Sequence, residues 1–214
     1  MSRFILILSH LPVFAVFVYA VSVYRNVSSE LKPLSWYLII TGTIHCISLG
    51  LWFLHQNNLP LLHILVPVRF VLLIMMYSKI LNGYVSSAVM YLLTGVFLIY
   101  SLTFSLFFER INTFNSNVMT VENILLIILS LSTYVLLMDK RLNKHLDKYM
   151  KSVEWMNSGV FLYHSSSLIL MYFGKHIIQV LTPELNRYIW VIHSFFINVM
   201  YYCFWRALWK RNTT

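Results

Sequence analysis

Polar side chains recur at helical spacing within an apolar segment near residues 35–55. Thr41, His45, Ser48, Trp52 and His55 are separated by steps of four, three, four and three residues. On an α-helix this spacing places all five side chains on one face. Imidazole and hydroxyl groups gathered there can bind a ligand, move a proton or tie one helix to the next. The pattern predicts an inward-facing polar surface.

Two later segments carry polar faces of the same kind. The sixth apolar segment presents Glu154, Asn157 or Ser158, and His164 or Ser165, and the seventh presents Trp190, His193 or Ser194, Asn198 and Tyr201. An ionisable side chain that faced lipid would be costly, so we expect these faces to meet inside a helix bundle. A lone histidine in such a place more often forms an interhelical hydrogen bond than a ligand contact.

Arg69 and Glu122 are charged residues within apolar segments. Arg69 follows Pro67, which we expect to open or bend the third helix, and its guanidinium suits either an anion site or an ion pair with Glu122. Glu122 has a second explanation, since a helix starting near Met119 would place its carboxylate close to the helix N-terminus. The candidate ligand-binding residues are His45, Trp52, His55, His63, Arg69, Glu122, His164, Trp190 and His193.

No catalytic residue, metal ligand or cofactor is predicted. No H-x-x-x-H or H-E-x-x-H pair supplies metal spacing on one helix. A serine nucleophile with a histidine partner can be drawn from "YHSSS", residues 163–167, but no G-x-S-x-G turn accompanies it. An intramembrane hydrolase is therefore the third choice of function.

The composition indicates the elements that hold these residues. Of 214 residues 59% are hydrophobic and only 11% are charged, against about 25% in a soluble domain. Runs of about 20 apolar residues, enough for a helical span, predict an all-α, polytopic seven-helix bundle forming a single transmembrane domain over 1–214. The predicted spans are 4–24, 35–55, 60–79, 85–107, 119–138, 154–174 and 187–209.

Lysine and arginine placement predicts the orientation. With the N-terminus outside and the C-terminus cytoplasmic, the basic segment 139–153 remains inside, as short Lys/Arg-rich loops do. The connection "LHQNNLPLLH", residues 54–63, then lies outside, carries no Lys, Arg, Asp or Glu, and is interpreted as the rim of an outward-facing pocket. The net charge of +9 is explained by basic residues in the inside loops, which favour this topology and can contact anionic lipids. No nucleic-acid partner is expected.

Three stretches carry a family resemblance. "ENILLIILSLSTYVLLMDKR", "NSGVFLYHSS" and "VIHSFFINVMYYCFWRALWK" resemble an uncharacterised family of bacterial seven-span integral membrane proteins. The resemblance implies a multi-pass protein of the bacterial cytoplasmic membrane and implies no chemistry.

We expect a receptor-like or sensor-like subunit with an outward polar pocket for a small or amphiphilic ligand. Since no output domain is visible, signalling would pass through a cytoplasmic or membrane partner at segment 139–153. The alternative is a small-solute or proton-coupled transporter, for which Glu154 and Asn157 are the hint of a path to the inner surface.

The orientation predicts which loops are accessible from outside. In a variant lacking Cys46 and Cys203, Asn57→Cys in intact cells should react with a membrane-impermeant thiol reagent, whereas Lys148→Cys should react only after permeabilisation. The opposite labelling pattern would reverse the topology.

Overall fold

A computed structural model shows a chain of helices joined by short turns and loops. The described part comprises residues 3–139, 146, 148–173, 180 and 182–209, with side chains from residue 10 onward except those of 183, 184, 186 and 187. Within it there is no strand, and the seven α-helices are α1 Arg3–Val23, α2 Lys32–Phe53, α3 Pro60–Ile80, α4 Ser87–Thr103, α5 Ser116–Met138, α6 Met150–Tyr172 and α7 Pro183–Trp209. A 3₁₀ turn, Tyr24–Asn26, follows α1, and a π-helical turn, Phe104–Phe108, continues α4.

Each predicted apolar segment coincides with one helix, so the helical class is confirmed. Four helical stretches in the described residues are long and apolar enough to cross a membrane: Lys32–Phe53, Pro60–Ile80, Ser87–Phe108 and Ser116–Met138. These four indicate a membrane protein. Several helices also begin before their apolar runs, because backbone hydrogen bonding continues into polar residues that a hydropathy pattern leaves out.

Part of the predicted inner surface lies outside the described residues. These residues are 140–145 and 147 of the basic segment, together with Lys210 and Arg211. Leu146 is buried and Tyr149 packs against the core, so the described part of the segment is attached to the bundle.

The helices pack in a ring with one helix outside it. Going round the ring, α1 contacts α2, α2 contacts α3, α3 contacts α5, α5 contacts α6, α6 contacts α7 and α7 returns to α1. α4 packs mainly on the outside of α3 and exposes Tyr91, Leu92 and Ile99, which are 75%, 67% and 70% accessible. Such a large apolar surface fits a lipid environment better than water.

Residue identity explains where several helices begin and end. Pro33 and Pro60 occupy first-turn positions, where the missing N–H costs nothing, and the Ser86 side chain caps α4 by accepting a hydrogen bond from the Val89 N–H. α2 ends at Phe53, and His55 adopts a φ of +55°, a left-handed geometry common just past a helix end. Pro67 is accommodated inside α3, which continues through it to Ile80.

Close approach of α6 and α7 depends on Gly159. A Cβ built at this position would lie 2.8 Å from the Cys203 Cβ and 3.2 Å from the Met200 carbonyl oxygen. By contrast, a Cβ at Gly95 on α4 would meet nothing within 4 Å. The two glycines therefore have different roles, although both lie inside helices.

Substitution of Gly159 by valine should force α6 and α7 apart and lower stability, by about 1–3 kcal/mol for overpacking. The matched change Gly95→Ala should be neutral or stabilising by up to about 1 kcal/mol, since alanine is the better helix former. Unfolding of the purified protein in a denaturing detergent would measure both. Equal stability of Gly159→Val and wild type would contradict the tight α6–α7 contact.

Candidate functional site

A partly open chamber of about 150 Å³ lies within the ring. Its lining combines charged and polar groups with apolar and aromatic side chains from α2, α3, α5, α6, α7 and the loop before α5. The lining residues are Tyr37, Thr41, His45, Leu62, Leu65, Arg69, Phe114, Met119, Tyr163, Met171, Trp190, His193, Ile197, Met200 and Tyr201. Most of them lie in the half of the bundle nearest loops 54–59 and 109–115. An engineered cavity of about this volume accommodates a benzene ring, so the chamber suits a small ligand.

Arg69 and Glu122 form a buried ion pair at the chamber wall. The Arg69 Nε donates to Glu122 Oε1 at 2.6 Å, and Nη2 donates to Oε2 in a second, parallel bond. Glu122 is fully buried. Such a two-point contact fixes the orientation of the guanidinium plane as well as its position.

The alternative explanation of Glu122 is wrong. α5 begins at Ser116, earlier than the predicted start near Met119, so Glu122 lies beyond the first turn of the helix. A helix-terminal charge interaction falls off within that turn. The carboxylate is held by Arg69 instead.

Arg69 retains hydrogen-bonding capacity toward the chamber. A guanidinium has five N–H donors, of which Glu122 takes two, leaving three. Arg69 lines the chamber and makes no other hydrogen bond to the part of the chain that the structure describes. These fixed donors are the strongest candidate ligand contacts of the site.

The α2 wall is connected to α7 through hydroxyl groups. Thr41 Oγ1 donates to the Tyr37 carbonyl oxygen at 2.6 Å, which leaves its lone pairs to accept from the Tyr201 hydroxyl at 3.0 Å. One turn further along α2, His45 lines the same wall, with its ring centroid 6.1 Å from that of His10 on α1.

Another part of the wall is built from aromatic rings around His193. The His193 ring lies 5.5 Å from Tyr163 and 5.7 Å from Trp190, centroid to centroid, and its Nδ1 is 3.3 Å from Ser167 Oγ. Trp190 is in turn 5.6 Å from Phe114 in an edge-to-face contact. His193 is 9% exposed, so its position is set mainly by its neighbours.

His164 lies behind this wall, beside Tyr163, and does not line the chamber. Its Nδ1 is 2.6 Å from Asn123 Oδ1, and because that oxygen only accepts, Nδ1 carries the proton. The His164 Nε2 and the Asn123 Nδ2 are both buried without a hydrogen-bond partner among the described residues. The pair connects α5 with α6 beside the site.

Three predicted residues lie away from the chamber. His63 connects α3 to the neighbouring turn, donating from Nε2 to the Thr113 carbonyl oxygen at 3.2 Å and accepting at Nδ1 from Ser105 Oγ at 2.9 Å. Trp52 packs on Phe53, and His55 is exposed at the end of α2. Sequence spacing places a side chain on a helix face but does not say how far along the bundle a cavity extends.

Residues 54–59 bridge loops instead of lining the chamber. The Asn57 side-chain amide donates to the Asn112 carbonyl oxygen at 3.4 Å, and the Asn58 amide donates to Ser48 Oγ at 2.8 Å. Leu62, in the first turn of α3, is the nearest lining residue. Residues 54–59 of the predicted rim therefore lie at the chamber end of the bundle, outside its wall, whereas Leu62 of the same predicted stretch is part of the wall.

Three tyrosines that line the chamber, Tyr37, Tyr163 and Tyr201, were absent from the candidate list, although Tyr201 lies on the predicted polar face of the seventh segment. Tyr37 lies one turn before Thr41 on the same face of α2, so extending the stripe backward finds it. Tyr163 was missed because the sequence analysis singled out the next residue, His164. Adjacent residues on a helix point about 100° apart, so Tyr163 lines the chamber and His164 does not. The described residues contain no group of three or more His, Cys, Asp or Glu side chains that could hold a metal ion.

Comparison with protein-family models, with curated proteins and with solved structures finds no significant match to this chain.

The ion pair predicts non-additive stability changes. Arg69→Met and Glu122→Leu should each destabilise the protein by about 3–5 kcal/mol, because each leaves a buried charge without its partner. The double variant should be more stable than either single variant, since no unpaired charge remains. Detergent unfolding of the four proteins provides the measurement, and additive losses in the double variant would contradict the coupling.

Proposed function

We propose that the chain is a seven-span integral protein of the cytoplasmic membrane, with its N-terminus outside and its C-terminus inside. Four helices support this by length and composition. The other three, α1, α6 and α7, lie in the same ring and contain 21, 23 and 27 residues. At about 1.5 Å per residue each can cross a hydrocarbon core of about 30 Å. The basic segment between α5 and α6 supports the orientation.

Within that membrane the protein acts as a receptor-like or sensor-like subunit that binds a small ligand in the chamber. The observation that carries this proposal is the arrangement of Arg69, which lines the chamber and whose guanidinium is held by Glu122 through only two of its five donors. A purely structural ion pair would need no chamber beside it. A preorganised donor in a low-dielectric cavity is what specific recognition of an acceptor group requires.

The ligand is expected to be neutral at its polar end. Glu122 already balances the charge of Arg69, so with neutral imidazoles a ligand anion would leave a net negative charge in a buried site. A carboxamide or a protonated carboxyl group avoids this cost. Its carbonyl accepts from Arg69, and its N–H or O–H can donate to a ring nitrogen of His45 or His193.

The half of the bundle away from the chamber favours a binding role over a transport role. There, Asn157 Oδ1 accepts from Tyr77 and Ser130, each at 2.9 Å, and Asn157 Nδ2 donates to the Ser130 carbonyl oxygen at 3.0 Å. Asn157 is therefore engaged in joining α3, α5 and α6 within an apolar layer. Glu154, predicted on an inward face, is exposed, so it does not continue a polar path.

α3 provides a connection between the chamber and the proposed partner surface. Arg69 lies in its chamber half, and Lys79 and Ile80 at its far end line a cavity of about 60 Å³ together with Leu146 and Tyr149. A ligand that binds more tightly to one position of α3 would therefore shift Lys79 and Ile80 relative to Leu146 and Tyr149 of segment 139–153. Full signalling by the protein alone in a reconstituted system would contradict the need for a partner.

Chamber filling tests the binding role. Hexanamide, a neutral probe, should raise the thermal stability of the purified protein, by about 2.7 kcal/mol at a concentration of 100 Kd. Leu62→Trp should abolish this shift by occupying the chamber, whereas Leu61→Trp, the neighbouring residue outside the lining, should retain it. An equal shift in both variants, or none in the wild type, would contradict the proposal.

The transporter alternative has its own measurement. Protein-dependent uptake into liposomes of a polar solute that otherwise does not cross the bilayer would favour transport over reception. The packed Asn157 layer predicts no such uptake.

A further inference from the structure

A second cavity lies directly beside the chamber, between α6 and α7. It has a volume of about 180 Å³ and is lined by Ser166, Leu170, Ile189, Ile192, His193 and Phe196. Four of these six side chains are aliphatic or aromatic hydrocarbons, in contrast to the mixed lining of the chamber. The groove is therefore suited to an apolar occupant.

The groove follows from how α6 and α7 pack along their length. The helices are in tight contact at Gly159, where a Cβ would lie 2.8 Å from that of Cys203. About two turns further along α6, the small side chains of Ser166 and Ser167 face α7. Small residues there leave space that a larger side chain would fill, so the same helix pair is closed at one level and open at the other.

The groove is on the face of the bundle that lipid would cover. Ile192 in its lining is 59% exposed, and the neighbouring Ile169 and Phe195 are 69% and 62% exposed. In the proposed membrane setting this surface meets acyl chains. An alkyl chain is thus the occupant available to the groove in that position.

His193 joins the groove to the chamber. It is the one residue common to the linings of the two cavities within the described part of the chain. Its contacts, with Ser167 on α6 and with the Tyr163 and Trp190 rings, hold the imidazole between the two spaces. The imidazole therefore lies at the boundary between the two cavities.

We infer that the ligand is a single-chain amphiphile from the membrane, with its carboxamide or carboxyl head in the chamber and its alkyl chain in the α6–α7 groove. This inference rests on the proposed binding role of the chamber and adds a ligand class and a route. The head meets Arg69, the chain passes His193, and the hydrocarbon remains in contact with lipid. Such a ligand reaches the site laterally, without crossing loops 54–59 and 109–115.

A series of alkyl amides tests the inference on the whole protein in lipid nanodiscs. Hexanamide and decanamide differ only in chain length, and burial of each added methylene from water strengthens binding about fourfold. Ile192→Trp fills the groove from its lipid-facing side, and Ser166→Leu fills it from α6. Phe195→Trp, exposed on the same helix but outside the groove lining, is the matched control.

Both groove variants should lower the affinity for decanamide, relative to wild type, by tenfold or more while leaving hexanamide binding unchanged. Phe195→Trp should bind both amides as the wild type does. Because all variants are compared in the same lipid, partition of the probes into the bilayer cancels from each ratio. Leu62→Trp, which blocks the chamber, should abolish binding of both probes.

The outcomes separate this inference from the binding role of the chamber. If hexanamide binds and Ile192→Trp and Ser166→Leu leave decanamide affinity unchanged, the groove does not hold the chain and the inference fails while the chamber role stands. If neither amide binds the wild type, both proposals fail.

Discussion

The buried pair of Arg69 and Glu122 is the interaction on which the described architecture depends. An ionised group in a low-dielectric interior is tolerated only when it is paired and hydrogen-bonded. The pair therefore requires Arg69 on α3 and Glu122 on α5 to lie at the same height along the bundle. It also requires that the surrounding helices shield it from lipid. The ring arrangement, with α4 outside, satisfies both requirements.

The two halves of the bundle differ in how their buried polar groups are satisfied. Near the pair, polar and aromatic side chains surround a chamber, and Arg69 has donors that Glu122 does not occupy. In the other half, the polar groups of Asn157 and its partners satisfy one another inside apolar packing. A polar group with spare capacity beside a cavity favours recognition, whereas a saturated polar cluster favours rigidity. This asymmetry underlies the proposed choice of a binding role over a conducting pathway.

His193 lies at the boundary between the chamber and the α6–α7 groove. It is held by one hydroxyl contact and two aromatic neighbours. None of these contacts carries a charge, so the position of the ring is less strongly specified than that of Arg69. A rigid anchor with a more adaptable neighbour suits a site that must admit a ligand and then retain it.

The sequence by itself determined the helical class, the approximate bounds of seven helices and the presence of polar faces on α2, α6 and α7. These features follow from local periodicity and from apolar run length, both of which are properties of neighbouring residues. It offered the pairing of Arg69 with Glu122 as one alternative, beside an anion site for Arg69 and a helix N-terminus for Glu122, and did not choose between them.

Only the tertiary structure decided which polar side chains meet. His45, Arg69, Trp190 and His193 come together at one chamber, while His63, Trp52 and His55 occupy other surroundings. His164, although it lies on the predicted face, is behind the wall with Asn123. Spacing along one helix specifies direction around its axis but not which neighbour it faces or at what height. Those depend on helix order around the ring and on close contacts such as Gly159 with Cys203, which arise between residues distant in the chain.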